Sequence, residues 1–596
     1  MAVSVSTKVP VATAPSARIR RSLDMLYPVP VAARMYRHLE LLTEEFIDGG
    51  PPPHRAAPFD ETDVMLITYA DQIREPGRTP LSTLHDFLRG HVADAISGIH
   101  LLPFHPYSSD DGFSVMDYRL VDSTLGRWPD VRGIAEDFRL MMDAVFNHVS
   151  ARGRWFKEWL AGHPSRANFF LQVDPNLDLS AVTRPRTSPL LTPVETPDGP
   201  LHLWTTFSAD QIDLNYANPY VLLESTRALL DFVRCGAGIV RLDAVAFLWK
   251  QIGTSCVHLP QTHAIVQLWR AMLDAAAPGT LLLTETNVPH DENLSYFGDG
   301  TDEAHLVYQF ALPPLVLSAF HLADARPLRE WAMGLHTPSH QTTFLNFLGS
   351  HDGIGVRSVE SILTPSEIRQ LCELATTHGG GVSYRARPDG GFSPYELNAV
   401  YFDALTETSS EEPLDRQVDR FVSAHSVLLA LAGIPAIYIH SLLGSRNWTD
   451  GIAATGKLRS VNRQKLNRAE LEAELADPAS VRHQVFTRLL EKVKARVAEP
   501  AFHPNGTQTV VNGPSTLFVI LRASPDGSSR VLCIHNLSGK EQRLDTCPNQ
   551  GVHLSGVLDD LCDPGHTLAV PPDGHIEVDV PPYGVRWLRA RSPALS

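Results

Sequence analysis

The sequence is poor in positive charge. Its 51 Lys and Arg residues are outnumbered by 67 Asp and Glu, which gives a formal net charge of −16 at pH 7. A surface of this sign repels phosphate backbones, so we expect no nucleic-acid partner. Acidity alone identifies no substrate, and we interpret it as a contribution to solubility.

Cysteine is also scarce, with six residues in the whole chain. None of the six belongs to a CxxC pair or to the paired spacing of a zinc site, and no Gly-rich phosphate loop occurs. We therefore expect reduced thiols, a cytoplasmic location, no metal and no cofactor.

Long hydrophobic runs are missing as well. The nearest approach to a membrane span, from Val427 to Ile439, is broken by Gly433 and Pro435 and is too short to cross a bilayer. The first twenty-one residues are basic but lack the compact apolar segment of a secretory signal, and we expect them to form a flexible tail. No membrane partner is expected.

What the sequence does contain is an alternation of short apolar runs with longer amphipathic stretches. At 596 residues the chain is long enough for a large catalytic domain and one or two smaller ones. The alternation predicts an α/β fold in which a parallel sheet closes into a (β/α)8 TIM barrel. The apolar runs begin at Val64, Gly98, Arg139, Gly238, Thr280, Thr342 and Ile434.

Breaks in this alternation predict the domain organisation. Residues 1–58 are expected to form a tail and a helical extension, which ends in two glycines and three prolines. The barrel is expected to take residues 59–148 and 217–503, with an inserted subdomain B at 149–216 and a second insertion at about 356–415. Short alternating strands predict an antiparallel β-domain over residues 504–596.

Carboxylates stand at the ends of four apolar runs. They occur in DAVFNHVS from Asp143, GIVRLDAVAF from Gly238, LLLTETN from Leu281 and FLGSHDGIG from Phe347. Barrel enzymes keep their active sites at these strand ends. Retaining glycoside chemistry needs one carboxylate to attack the anomeric carbon and a second carboxyl group to protonate the leaving oxygen. We assign Asp243 as the nucleophile and Glu285 as the general acid/base.

Two further residues complete this candidate site. Arg241 lies two residues before Asp243, so on a strand both side chains point to the same face and the guanidinium keeps Asp243 ionised. Asp352, beside His351, supplies a third carboxylate that can bind sugar hydroxyls in the transition state. Taken singly, an RxD pair is more often a structural ion pair, and a buried His is more often a core residue. The four segments together favour glycosidic chemistry.

These segments resemble the four short sequence regions of the α-amylase-type superfamily. The matching stretches are DAVFNH, GIVRLDAVA, LLTE and SHD, and the resemblance covers roughly Thr62 to Leu588. It implies a TIM barrel and the same three catalytic residues, with Asp243 as nucleophile, Glu285 as acid/base and Asp352 as transition-state stabiliser.

Within that superfamily the chain resembles the sucrose phosphorylase group, through PFHPYSSDDGFS, QIDLN, HDGIG, SPYELN and RSVNR. The resemblance implies that Asp110 and Arg459 bind the 4-OH end of glucose and that Phe113 forms an apolar platform. The residues that it implies for the other hydroxyls of the ring are His148, Gln211, Arg241 and His351. Without the resemblance, Phe113 fits a core position and Arg459 a surface ion pair equally well.

In a phosphorylase, phosphate takes glucose from the nucleophile in place of water. Tyr395 corresponds to a loop tyrosine of the group, but Glu396 follows it where sucrose phosphorylases carry Gln, and Arg385 and Arg387 lie just upstream. Nearby arginine favours an acidic acceptor such as glycerate. The stretch that follows Glu285 and the later SLLGSRNW look most like glucosylglycerate phosphorylases.

We therefore expect reversible transfer of an α-glucosyl group from 2-O-α-glucosylglycerate to phosphate, giving α-glucose 1-phosphate through a glucosyl-enzyme intermediate. All expected partners are small molecules. Three alternatives stay open: a sucrose or sucrose 6-phosphate phosphorylase, an amylosucrase-like glucosyltransferase suggested by DAVAFLWKQIGTSC, and an inactive sugar-binding barrel. The presence of both Asp243 and Glu285 argues against the last. Neither the acceptor nor the oligomeric state follows from the sequence alone.

Overall fold

A closed barrel of eight parallel strands forms the centre of the molecule. The computed structural model describes residues 14–50, 57–197, 199–387, 391–406, 411–548 and 551–591. Each barrel strand pairs with the one before it in the chain, and the last strand pairs with the first. The strands are β1 (Met65–Thr68), β2 (Gly98–Leu101), β3 (Arg139–Ala144), β4 (Ala237–Leu242), β5 (Leu281–Thr284), β6 (Leu306–Tyr308), β7 (Thr343–Phe347) and β8 (Ile434–Tyr438). The predicted TIM barrel is confirmed.

The barrel strands are short and buried on both faces. Every residue of β1, β2, β5 and β7 is buried, as expected for parallel strands that fill a barrel interior and support an outer ring of helices. β6 was not among the predicted strands. It has only three residues between the buried polar side chains of His305 and Gln309, so it forms no recognisable apolar run.

Helices follow most barrel strands and cover the outside of the barrel. Many begin with a proline in the first turn, where its missing backbone N–H removes no helical hydrogen bond. In the described ranges no helix has both the length and the apolar content that crossing a bilayer requires. The α-helices are α1 (Pro15–Leu26), α2 (Val29–Asp48), α3 (Pro80–His91), α4 (Trp128–Asp137), α5 (Arg154–Leu160), α6 (Pro219–Arg234), α7 (Pro260–Ala276), α8 (His290–Leu294), α9 (Leu312–Leu322), α10 (Arg326–Met333), α11 (Pro365–Thr377), α12 (Tyr401–Leu405), α13 (Leu414–Ala430), α14 (Ile439–Leu442), α15 (Thr449–Thr455), α16 (Arg468–Ala476) and α17 (Val481–Val497).

The N-terminal helices pack against the barrel. α1 contacts α7, and α2 contacts α6 and α7. The expectation of a flexible tail over the first twenty-one residues is wrong from Pro15 onward, and residues 1–13 lie outside the described residues. The start of α1 is held in place because Ile19 is buried and Arg18 forms an ion pair of 2.5 Å with Asp274 of α7.

Two insertions lie beyond the carboxyl ends of barrel strands. The one after β3 contains two small antiparallel sheets, which pair His148–Ser150 with Gln211–Asp213 and Leu191–Thr196 with Gly199–Trp204. The one after β7 contains a three-stranded antiparallel sheet of Ile354–Gly355, Phe392–Asn398 and Gly381–Ala386. The domain limits drawn from the sequence stay predictions.

The C-terminal region is an antiparallel β-structure with an apolar cluster of its own, which confirms the predicted architecture. Its larger sheet has the strand order Thr507–Val510, Leu517–Ala523, Arg530–Asn536, Val585–Ala590, Gly556–Asp560 and Thr567–Val570. A smaller sheet pairs Gln542–Thr546 with Ile576–Val580.

Candidate active site

The candidate site lies at the carboxyl ends of the barrel strands. Asp243 directly follows β4, Glu285 directly follows β5, and Asp352 lies in the loop after β7. Because all strands of a parallel barrel end at the same face, these carboxyl groups converge on one cleft.

Nearly all the site residues proposed from the sequence line this cleft. The lining residues among them are Asp110, Phe113, His148, Gln211, Asp243, Glu285, His351, Asp352, Tyr395 and Arg459. Arg241 lies beneath the floor, with only 2% of its surface exposed. The structure therefore brings together side chains from the segments that follow six different strands.

Arg241 joins two carboxylates under the floor of the cleft. Its Nη1 donates a hydrogen bond of 2.9 Å to Asp243 Oδ1 and another to Asp143 Oδ1. Asp143 also accepts a hydrogen bond of 2.8 Å from His100 Nε2. Burial acts to raise the pKa of Asp143, but the charges of His100 and Arg241 lower it to about 2. A permanently ionised carboxylate thus fixes Arg241 while Arg241 orients Asp243.

Glu285 is linked to Asp243 through the backbone. Glu285 Oε2 accepts a hydrogen bond of 2.8 Å from the N–H of Ala244, the residue after Asp243, and lies 4.0 Å from Arg241 Nη2. Ala244 has a φ of 49°, in the left-handed region that a residue with a Cβ adopts at an energetic cost. The strained conformation turns this N–H toward Glu285.

The pKa values of Asp243 and Glu285 are both raised, and burial is the main cause for each. Burial raises the pKa of Glu285, and the charge of Asp243 raises it further, against the opposing charge of Arg241. Burial raises the pKa of Asp243 as well, and there too Arg241 opposes it. Because Arg241 donates directly to Asp243 but only approaches Glu285, the protonated residue of the pair is Glu285. A nucleophile and a general acid require this protonation state.

Asp352 is held by a partly buried arginine that a second carboxylate also binds. Arg459 Nη1 lies 2.5 Å from Asp352 Oδ1, and its Nε and Nη2 donate to the two oxygens of Glu396 at 3.0 and 2.5 Å. Burial acts to raise the pKa of Asp352, but Arg459, His351 and Arg463 hold it well below its ordinary value. Asp352 is therefore ionised, and its orientation is fixed before any ligand binds.

A network of neutral donors lies where the segment after β2 meets the first insertion. Gln211 Nε2 donates to Asp110 Oδ2 at 3.3 Å and to the carbonyl of Phe113 at 3.1 Å. His148 Nε2 donates to the same carbonyl at 2.9 Å, and burial lowers the pKa of His148, which keeps it neutral. The ring of Phe113 stacks on His351 with centroids 4.8 Å apart. This part of the cleft offers hydroxyl-binding groups beside a flat apolar surface.

The two insertions supply another wall of the cleft. Burial raises the pKa of Tyr395 to about 12, so its hydroxyl stays a hydrogen-bond donor. Arg186 of the first insertion lies over the rings of Tyr395 and Phe207, 5.4 and 5.9 Å from their centroids. Arg357 of the second insertion lines the same cleft.

The two arginines that the sequence indicated do not line the cleft. Arg385 and Arg387 line a neighbouring pocket, which shares Arg357 with the cleft. Arg385 forms an ion pair of 3.1 Å with Glu360. The positive side chain of the second insertion that reaches the cleft is therefore Arg357, which the sequence had not indicated.

Comparison with known proteins identifies the family of this chain. The family described as "Alpha amylase, catalytic domain" matches residues 94–370. A glucosylglycerate phosphorylase of Spirochaeta thermophila is 48% identical over 533 residues, which cover 89% of this chain and 90% of that protein. A glucosylglycerate phosphorylase of Allomeiothermus silvanus is 51% identical over 518 residues, which cover 86% of this chain and 93% of that protein. The chain belongs to the α-amylase family.

A solved structure indicates which group within the α-amylase family this chain resembles. The chain is similar to a sucrose 6F-phosphate phosphorylase of Thermoanaerobacter thermosaccharolyticum, with a TM-score of 0.68 and 25% identity, covering 80% of this chain and 94% of that chain. These relatives are glycoside phosphorylases, which are glycosyl-transferring members of the α-amylase family. The resemblance inferred from the sequence is confirmed.

Near the cleft of this α-amylase-family barrel, a lysine bridges the side-chain oxygens of Asp213 and Asn147. Lys250 Nζ lies 2.7 Å from Asp213 Oδ2 and donates a hydrogen bond of 2.8 Å to Asn147 Oδ1. Carboxylate and amide oxygens of this kind also suit Ca²⁺. Here the buried ammonium occupies the position between them and ties the β3 end to the first insertion, next to His148.

A second group with metal-ligand atoms lies at the surface of the C-terminal region. It consists of Asp545, His575 and Glu577. Glu577 is already paired with Arg543, and exposed acidic groups of this type are common without an ion. We assign no metal to it.

The structure adds Asp143, Arg186, Arg357, Glu396 and Arg463 to the residues expected from the sequence. Glu396 carried a signal, because it replaces the glutamine of sucrose phosphorylases. Asp143 and Arg463 lie within quoted motifs but had no assigned role. Nothing in the sequence distinguished Arg186 or Arg357 from surface arginines, since their places in the cleft depend on the folding of long insertions.

Proposed function

We propose that this protein is a retaining glucoside phosphorylase that reversibly transfers the α-glucosyl group of 2-O-α-glucosylglycerate to phosphate. The products are glycerate and α-glucose 1-phosphate. The observation that carries the proposal is the similarity, over nearly the whole length, to proteins named glucosylglycerate phosphorylase. The pairing of an oriented Asp243 with a protonated Glu285 supports the reaction class.

In the first step, an oxygen of Asp243 attacks the anomeric carbon of the bound glucoside. The bond between that carbon and the oxygen of glycerate breaks, and the proton of Glu285 passes to this oxygen. The hydrogen bond from Arg241 leaves Asp243 ionised and aimed, so the nucleophile needs no general base. The step leaves a glucosyl ester on Asp243 and a carboxylate on Glu285.

In the second step, a phosphate oxygen attacks the anomeric carbon from the side that glycerate has left. Glu285 takes the proton of the attacking phosphate hydroxyl, and Asp243 departs as a carboxylate. Two inversions give an α-configured product and return both residues to their starting protonation states.

The surroundings of the pair support a glucose-binding role. Asp352, kept ionised by Arg459, is positioned to strengthen its hold on sugar hydroxyls as positive charge develops on the ring. The remaining residues proposed to hold the glucose ring are Asp110, Phe113, His148, Gln211, His351 and Arg459. Arg241 lies below the floor, which favours its role in orienting Asp243 over direct contact with sugar. A cytoplasmic location, small-molecule partners and the absence of a cofactor complete the proposal.

The test uses the synthetic direction. The protein is mixed with α-glucose 1-phosphate and with glycerate, glycerol, fructose or fructose 6-phosphate in turn, and phosphate release is followed over time. Rapid release with glycerate, and a product that NMR shows to be α-linked, is the expected result.

Three outcomes would overturn the proposal. Release with fructose or fructose 6-phosphate, but not with glycerate, would indicate a sucrose or sucrose 6-phosphate phosphorylase. Formation of glucan from sucrose without phosphate would indicate an amylosucrase-like enzyme. Binding of sugar without any turnover would indicate an inactive barrel.

A further inference from the structure

The three arginines that line the cleft differ in what binds them. Arg459 is held by two carboxylates, and Arg186 lies over two aromatic rings. The side chain of Arg357 makes no hydrogen bond, ion pair or ring contact with any described residue. A cation that faces a ligand cleft without a protein partner is available for an anionic ligand.

Two carboxylates act on the charge of Arg357 from a distance. Glu360 is paired with Arg385 at 3.1 Å, and the side chain of Glu292 is 47% exposed to solvent. Burial lowers the pKa of Arg357 and the like charge of Arg385 lowers it further, while Glu292 and Glu360 oppose the change. The positive charge of Arg357 is therefore only partly compensated by its surroundings.

The turn that carries Arg357 is fixed on both sides. The N–H of Val356 donates to the carbonyl of Tyr395 at 3.1 Å, and Ser358 Oγ donates to the carbonyl of Phe310 at 2.8 Å. A rigid turn positions its side chain at a lower entropic cost than a mobile loop would, which is a property of built binding sites.

Contacts of the same turn place Arg357 on the acceptor side of the cleft. Gly355 packs so closely on Asn287 that a Cβ added at Gly355 would lie 2.6 Å from Asn287 Nδ2. Asn287 lies two residues beyond Glu285 and lines the cleft with it. In the proposed function Glu285 protonates the oxygen of the departing acceptor, so the segment that follows it borders the acceptor.

We propose that Arg357 binds the carboxylate of the acidic acceptor and thereby selects glycerate over neutral polyols. This inference rests on the proposed function and adds the residue that sets its specificity. The planar guanidinium can donate two parallel hydrogen bonds to a carboxylate, and in a partly buried cleft such a pair is stronger than in water. Glycerol has the same carbon skeleton without the carboxylate and offers Arg357 no such partner.

The experiment is a competition between glycerate and glycerol at equal concentration. The donor is α-glucosyl fluoride, which keeps phosphate out of the cleft, and NMR gives the ratio of the two glucosylated products. This ratio does not depend on donor binding or on the amount of active protein. We expect Arg357→Ala to lower it by about 10- to 100-fold, the magnitude of a lost charge-assisted hydrogen bond.

Two further variants make the test specific. Arg357→Lys should restore part of the ratio, because it keeps the charge but loses the paired donors. Arg186→Ala, the matched control, removes another cleft-lining arginine that lacks a carboxylate partner and should leave the ratio within about 3-fold of the wild type. If Arg357→Ala fails to fold, Arg357→Gln removes the charge with less change in shape.

The outcomes separate this inference from the proposed function. A wild-type protein that does not use glycerate overturns the proposed function and the inference with it. A wild-type protein that prefers glycerate, together with an Arg357→Ala variant of unchanged ratio, overturns the inference alone. A selective loss of glycerate in Arg186→Ala but not in Arg357→Ala would also overturn it.

Discussion

The two sides of the cleft differ in whether their arginines are paired with carboxylates. The barrel side is formed by Arg241, Asp243, Glu285, Asp352 and Arg459, and the insertion side by Arg186, Arg357 and Tyr395. On the barrel side, each arginine is bound by two carboxylates. On the insertion side, both arginines lack a carboxylate partner within the described residues.

We infer that the barrel side carries out the chemistry and that the insertion side binds the anionic substrates. Charges that are paired within the protein are already oriented, so they can stabilise a transition state without reorganising when the substrate binds. Charges left unpaired gain their partner only when an anion enters. The proposed reaction needs both, because a neutral glucose ring stays in place while glycerate and phosphate exchange beside it.

The largest effect is expected for Asp243→Asn. The amide cannot form the glucosyl ester, so kcat/KM should fall by about 10⁴-fold or more. Phosphate release with glycerate measures the loss, and circular dichroism checks the fold. Asp86→Asn, at a surface ion pair with Arg78, is the control and should keep full activity. Substantial activity in Asp243→Asn would show that Asp243 is not the nucleophile, and it would contradict the assignment of the chemistry to the barrel side.

The second prediction concerns the raised pKa values of Asp243 and Glu285. In the wild type, kcat/KM should fall as pH rises through the raised pKa of Glu285, because the acid is lost. It should fall at low pH as Asp243 also takes up a proton. Glu285→Gln should lower kcat/KM by about 10²- to 10⁴-fold and abolish the alkaline fall. A variant that keeps this alkaline fall would show that another group is the acid.

The third prediction concerns the buried ion pair between Lys250 and Asp213, which should contribute to stability. Lys250→Met leaves Asp213 buried without its cation, which should lower the free energy of unfolding by about 3–5 kcal/mol. Lys494→Met breaks an exposed ion pair with Asp94 and should cost at most about 1 kcal/mol. Urea unfolding of both variants makes the comparison, and equal losses would contradict it.

The smallest effect is expected for Glu396→Gln. The amide has one acceptor oxygen in place of two, so Arg459 loses one of its two hydrogen bonds to this residue, is oriented less firmly toward Asp352, and kcat/KM should fall by about 10-fold. The product ratio of glycerate to glycerol should not change, because Glu396 acts through the barrel side. A change in this ratio as large as that from Arg357→Ala would show that the two sides do not act separately.

The barrel and its carboxylates could be predicted from the sequence because they depend on local signals. Asp243 and Glu285 directly follow strands whose apolar runs are visible in the sequence, and all such strands end at one face. Seven of the eight strands gave this signal, whereas β6 is too short to do so.

The two arginines of the insertion side could not be predicted in the same way. Arg186 and Arg357 reach the cleft through long insertions whose paths are set by distant contacts, such as the one between Gly355 and Asn287. The sequence pointed to Arg385 and Arg387 because they lie close to Tyr395 along the chain. Along the antiparallel strands of that insertion, sequence proximity does not place a side chain in the cleft, and both line the neighbouring pocket.

The central claim, that Asp243 carries glucose between two acceptors, is tested most directly by trapping the intermediate. Glu285→Gln is mixed with α-glucosyl fluoride, whose leaving group needs little help from an acid, and the digested protein is analysed by mass spectrometry. The missing base should slow the second step, so the peptide that contains Asp243 should gain the mass of one glucosyl residue. Glucose attached to a different carboxylate, or a β-configured product from the wild-type protein, would contradict the claim.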